Sequence, residues 1–226
     1  MIAVTATSDW QAAHPGAIIG LLELSSVQNP SDSSPLNQRK REVEAQLRER
    51  YLDFSRKDLL AHPVMAAYSR YYRSFDKTYH VLLQVESILS GTRTLPDVSP
   101  LVDANFAAEV ATFCLTAGHD AGKLAGPVVM DVAKQGDRMT MMNGASKLTC
   151  VGDMVMRDNQ GVCCSILYGQ DNRSPITRAT RHVLYVTYAP PGVSSEAVEN
   201  HMHLIEEHVR LACPHALMEQ SRLLIA

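Results

Sequence analysis

The sequence predicts an α+β fold, and three observations carry that prediction. The first half reads as one strand followed by a run of helices, and the second half as a run of strands closed by one further helix. Segregated runs of this kind point to α+β rather than to alternating α/β. The third observation is size: 226 residues at 46% hydrophobic and 20% charged suffice for a single domain with a sizeable core. No Pro/Gly-rich linker, internal repeat or low-complexity stretch divides the chain, so residues 1–226 are read as one domain.

The elements follow in order. Residues 1–13 carry no clear pattern. Ala17 to Leu24 is a continuous apolar run suited to a buried strand, and Ser25 to Pro35 is a Ser/Asn/Asp/Pro loop. Leu36 to Tyr51 is rich in helix formers, with Val43, Leu47 and Tyr51 at i, i+4 spacing. A short helix starts near Pro63, since proline is tolerated in a first turn, and it carries Met65, Tyr68, Tyr72 and Phe75 near one face. His80 to Leu89 is a third helix, stopping at Gly91, and Leu101 to Leu115 a fourth. Strands are expected at 128–132, 138–142, 154–157, 162–167 and 183–188, separated by turn signals such as Asn143-Gly144. Ser194 to Cys213 returns to helix, with Ser195 as its cap and Pro214 as its stop, and is expected to pack back on the first strand.

Several function classes are excluded or narrowed. The net charge of −3 and a pI near 6.3 argue against a broadly basic surface, so any RNA contact must be local. Five cysteines without framework spacing read as reduced thiols in a cytoplasmic protein. No apolar run reaches a membrane-span length, and no signal peptide is visible. No ligand set demands a metal, and no cofactor is expected. His201, His203 and His208 lack zinc spacing and read as a solvated helix face, while Cys163-Cys164 read as an inert strand pair.

The stretch from Ser99 to Met130 concentrates the candidate chemistry. An Ala-rich segment carries Asp103, Asn105 and Glu109, then gives way to the polar elbow Gly118-His119-Asp120-Ala121-Gly122-Lys123. A helix, a polar loop and a strand in succession place side chains at the mouth of a cleft. The plainer reading is that Asp120 and Gly122 only build the turn.

The order P-L-V-D-A-N, G-H-D-A-G-K-L-A-G-P, V-A-K-Q-G-D, and then T-R-H-V-L-Y at the end of Cys164–Tyr185, resembles the tRNA-editing domain of the phenylalanyl-tRNA synthetase beta chain. The tyrosine-rich H-P-V-M-A-A-Y-S-R-Y-Y-R-S-F segment resembles free-standing proteins made of that domain alone. The resemblance spans roughly residues 15–210. It implies an antiparallel, sandwich-like sheet core with flanking helices. It also implies a pocket between the elbow and residues 164–186, and hydrolysis of an amino acid wrongly esterified to tRNA without any aminoacylation activity. The chain departs from the family at two positions. Ala117 replaces a histidine and Val186 a glutamate, the polar groups with which the synthetase recognises and processes a tyrosyl ester.

An aminoacyl ester is already activated, so such a pocket need only orient water and stabilise the developing oxyanion. The expected catalytic residues are His119, as a base near neutral pH, Asp120 and Asp171, which would orient water or accept the substrate ammonium. The expected substrate-binding residues are Asn105, Tyr168, Asn172, Thr177 and Thr180. Residues 39–77 hold ten Lys/Arg against six Asp/Glu, and Arg70 and Arg73 interleave with Tyr68, Tyr71 and Tyr72. That pattern suits phosphate binding and base stacking at an acceptor end, or else a solvated face over a tyrosine-rich core. Two other readings stay open: an inactive RNA- or amino-acid-binding module of the same fold, and a hydrolase of small esters unrelated to tRNA.

Overall fold

The computed structural model describes residues 1–53 and 55–226. Two sheets and a set of helices share one hydrophobic core. One sheet has the order β11(Leu217–Ile225)–β2(Ile18–Ser25)–β10(His182–Ala189)–β3(Thr116–Asp120), antiparallel throughout. The other runs β1(Val4–Ala6)–β4(Val128–Val132)–β7(Met154–Asp158)–β8(Gly161–Ser165)–β9(Gly169–Gln170), with β1 parallel to β4 and the remaining pairs antiparallel. A hairpin, β5(Arg138–Thr140) and β6(Ser146–Leu148), turns at Asn143-Gly144 as its sequence demands.

The helices are α1(Ser8–Ala13), α2(Ser34–Arg50), α3(Arg56–Ala61), α4(Pro63–Arg73), α5(His80–Leu89), α6(Pro100–Thr112) and α7(Ser195–Ala212). The architecture is the α+β one predicted, with the final helix lying on the first long strand. Its fit there is close at Gly20: a Cβ built on that residue would sit 2.6 Å from Val198 and 2.8 Å from Met202 of α7. Only glycine lets a helix approach a strand so nearly. Ser194, not Ser195, caps α7, its oxygen accepting the Ala197 N–H.

Four features differ from the sequence expectation. The fourth helix ends at Thr112, three residues early, because Phe113 adopts a left-handed conformation with φ of 66°. The elbow is then a strand rather than a loop as far as Asp120: β3 pairs along its whole length with β10, and only Ala121–Lys123 form a short 3₁₀ turn. Tertiary pairing overrides the weak strand propensity of Gly118 and Asp120. The terminal strands β1 and β11 and helix α1 had no sequence pattern strong enough to mark them. Finally, His201 and His208 are buried rather than solvated. The His201 ring lies between the Thr112 and Thr116 hydroxyls, at 2.7 and 2.6 Å, and His208 Nδ1 faces the Ala104 carbonyl at 3.1 Å. Buried polar rings persist only where such partners exist.

The tyrosines of α4 belong to the core. Tyr68 and Tyr72 are fully buried, Tyr68 stacks on Tyr79 with centroids 4.5 Å apart, and Tyr72 donates to the Ile166 carbonyl at 2.6 Å. They are closed to base stacking, which leaves Arg70 and Arg73 exposed on the outer face of α4.

Candidate functional site

A cavity of about 560 Å³ opens where α5, α6, β3 and the β8–β9 region meet. Its volume is in the range of small-molecule sites. Helix α6 contributes Val102, Asn105, Phe106 and Glu109, which share one face at i, i+3, i+4, i+7 spacing. Strand β3 contributes Leu115 to Gly118, and the opposite sheet supplies Cys164 and Ser165. Tyr188 closes the base, and Met142, Gly169 and Gln170 reach it from the hairpin side. The lip at Pro96 and Val98 is pinned from behind by the buried Lys40 ammonium. That group donates to the Pro96 carbonyl at 2.6 Å and to Asp103 at 2.8 Å, and also pairs with Asp97.

Most of the lining is apolar, so its few polar groups define the chemistry. Glu109 is buried, and its Oε1 accepts the Thr116 N–H at 2.8 Å, with Asn105 beside it. Among the described residues no lysine or arginine pairs with it. Burial therefore dominates, and it pushes the carboxyl pKa up to about 8. The Asn105 side chain donates to the Thr116 carbonyl at 3.2 Å, which leaves its Oδ1 buried without a partner. The Tyr188 hydroxyl is also buried and has only the weakly bonding Cys164 thiol beside it. Buried polar atoms left open beside a cavity are natural contacts for a ligand.

The strand edge adds a fourth group. β3 is the outer strand of its sheet. Thr116 and Asp120 turn their N–H groups away from β10, toward Glu109 and the Ser174 carbonyl (2.9 Å). By the alternation of an antiparallel ladder, the Gly118 N–H between them points the same way. Gly118 also lines the cavity.

Ala117 lines the cavity, while its register partner on β10, Val186, is buried beside it and does not.

The expected site residues fall into three groups. Asn105 lines the cavity. His119, Asp120, Thr177 and Thr180 tie the elbow to the later loop instead. His119 Nδ1 meets Ser174 Oγ at 2.8 Å, Asp120 accepts from Thr180 Oγ1 at 2.8 Å and from the Gly122 N–H at 3.1 Å, and Thr180 Oγ1 accepts the Thr177 N–H at 2.9 Å. Full burial lowers the His119 pKa to about 4, so the ring is neutral at pH 7. Asp171 is buried and paired with Arg173, which also grips Asp158 at 2.9 Å. Asn172 is exposed, with its N–H donating to the Thr140 carbonyl at 3.0 Å. Tyr168 sits at the rim, next to Gly169, and Arg70 and Arg73 do not line the cavity.

Glu109 and Gly118 had no assigned role in the sequence reading. A signal for Glu109 was present: it is the one Asp, Glu, Lys or Arg between Asp103 and Asp120, and it lies one helical turn after Asn105. A charge alone in an Ala-rich apolar helix costs free energy unless something uses it.

The five cysteines are free thiols. Among the described residues no group of three or more His, Cys, Asp or Glu is placed to hold a metal ion, and no helix is long and apolar enough to cross a membrane. No family model and no curated protein matches the chain. Among solved structures it is similar to an N-terminal fragment of the phenylalanyl-tRNA synthetase beta subunit from Pyrococcus horikoshii. That similarity has 10% sequence identity and a TM-score of 0.47, and covers 98% of this chain. The chain spans about half the length of that fragment, matching 50% of it.

Proposed function

We propose that the chain is an aminoacyl-tRNA deacylase whose cavity seats the aminoacyl group of a mischarged tRNA. The observation that carries this reading is the buried Glu109 carboxyl, without a cationic partner among the described residues, in a mostly apolar cavity that Gly118 lines from the neighbouring strand edge. That cavity borders the start of the elbow at Gly118 and part of the 164–186 region, at Cys164 to Ile166, Gly169, Gln170, Pro175 and Ile176; the sequence resemblance implies a pocket between those two segments.

The chemistry follows from these groups. Glu109, ionised, takes a proton from a water that attacks the ester carbonyl carbon. The Gly118 N–H donates to the oxygen that gains negative charge. The tetrahedral intermediate collapses with cleavage of the bond to the ribose oxygen, and the proton held by Glu109 passes to that oxygen. The products are a free amino acid and an uncharged tRNA. A carboxyl with a pKa near 8 is well matched to this work, as a base close to the operating pH gives the best compromise of population and strength.

Ala117, an apolar wall of the cavity, sets the specificity in this reading. It offers nothing to the hydroxyl of a tyrosyl group, so the favoured esters carry apolar side chains. A deacylation time course over a panel of mischarged and correctly charged tRNAs tests this. Selective loss of an ester with an apolar side chain is expected. A flat panel with folded protein would move the assignment to the second reading, an inactive amino-acid- or RNA-binding module. The loss of both polar family positions favours that alternative.

A further inference from the structure

We propose that Lys77 and Lys147, gathered on the ring of Tyr168, form a docking site at the cavity rim for the phosphodiester backbone of a single-stranded RNA end. This site rests on the reading above for its ligand, though its geometry is independent of any chemistry in the cavity.

Both ammonium groups lie 5.0 Å from the centroid of the same Tyr168 ring, so the two nitrogens are no more than twice that distance apart. Neither has a carboxylate partner among the described residues. A single cation over a tyrosine is ordinary. Two like charges converging on one ring, unpaired, repel one another, and an anion placed between them relieves that repulsion. The lysines are not there to neutralise the ring. Burial and the Cys150 thiol, 3.1 Å from the Tyr168 hydroxyl, push the phenol pKa up to about 12, so the ring is uncharged.

The position argues for a ligand continuous with that of the cavity. Lys77 lies three residues before His80, Lys147 is on the hairpin that carries Met142, and Tyr168 directly precedes Gly169. His80, Met142 and Gly169 all line the cavity. Three separate chain segments thus bring a charge or a ring to the rim and a neighbouring residue to the wall. A ligand with an apolar group in the cavity and a polyanionic tail over the rim satisfies both. The overall charge of −3 makes this a local attraction.

The test separates this site from catalysis. A fluorescein-labelled RNA hairpin with an uncharged single-stranded 3′ tail is titrated by anisotropy across a salt series. The wild type, a Lys77→Ala/Lys147→Ala variant and a Lys77→Arg/Lys147→Arg variant are compared. The alanine variant is expected to bind about tenfold more weakly at low salt, and its log–log salt slope to fall by about 1.4, the value for two phosphate contacts on a single strand. The arginine variant should bind as the wild type does. Unchanged affinity and slope in the alanine variant, or no binding by the wild type at low salt, would overturn the docking site. If RNA binds through these lysines while every charged tRNA survives, the docking site stands and the deacylase reading falls. If charged tRNAs are hydrolysed with equal efficiency by the alanine variant, the reverse holds.

Discussion

Replacing Glu109 by glutamine removes a buried ionisable group while keeping its shape, and its effect on stability is fixed in sign and in pH window. In the unfolded chain this carboxyl titrates near 4.5, and in the folded protein near 8. Between those values the folded state holds a proton that the unfolded state has lost. Stability therefore falls as pH rises, by about 1.4 kcal/mol per unit, and levels off above pH 8. Glu109 makes no such contribution below its unfolded pKa, where both states are protonated. Between pH 6.5 and 8 the buried histidines act in the opposite sense: the unfolded forms of His119 and His201, near 6.5, are still losing their protons at the start of that window, while the folded rings, depressed to about 4 and about 3, are already neutral. The difference between the wild type and Glu109→Gln removes that shared background. Across the window the wild type should lose roughly 1 to 2 kcal/mol relative to the variant, or about 5 °C in Tm for a chain of this length. Urea denaturation of both proteins at the two pH values measures it. Parallel pH profiles for the two proteins would mean that the carboxyl is ionised and solvated, and its catalytic pKa would fail with it.

Other expectations follow from the same contacts. Arg173→Ala strands the buried Asp171 and Asp158 carboxylates, and should cost about 3 kcal/mol in urea denaturation. Lys40→Met leaves Asp103 without its ammonium and frees the Pro96–Val98 lip; a similar loss of stability is expected, together with weaker protection of the 96–98 amides in hydrogen exchange. Thiol titration of the native protein at pH 8 should show one fast group, the half-buried Cys150. Burial raises the other four, Cys114 and Cys164 to about 12.

What could be read from the sequence was what local pattern controls. The Ala17–Leu24 run, the Pro63 start, the 80–89 helix and the 128–132 strand all fall where periodicity and turn chemistry put them. Strand β3 did not, because Thr116–Asp120 owes its conformation to β10, some 65 residues away in sequence, and not to its own residues. The candidate site shows the same division. The resemblance set the elbow against residues 164–186; the contact between them runs through 174–180, where polar groups of the two segments face each other, His119 to Ser174 and Asp120 to Thr180. A polar residue in a sequence announces that it needs a partner without saying whether that partner is solvent, ligand or the next loop. Glu109 was hidden for the opposite reason. Its isolation became meaningful only once α6 was seen to turn that face to an open cavity.

The most direct test is the single-turnover rate of ester hydrolysis on the tRNA that the panel selects, for the wild type and Glu109→Gln, from pH 6 to 9. The wild-type rate should rise about tenfold per unit and level off near pH 8, and the variant should be at least about a hundredfold slower with no such rise. A variant that hydrolyses the ester as fast as the wild type, with the same pH profile, would contradict the assignment of Glu109 as the base.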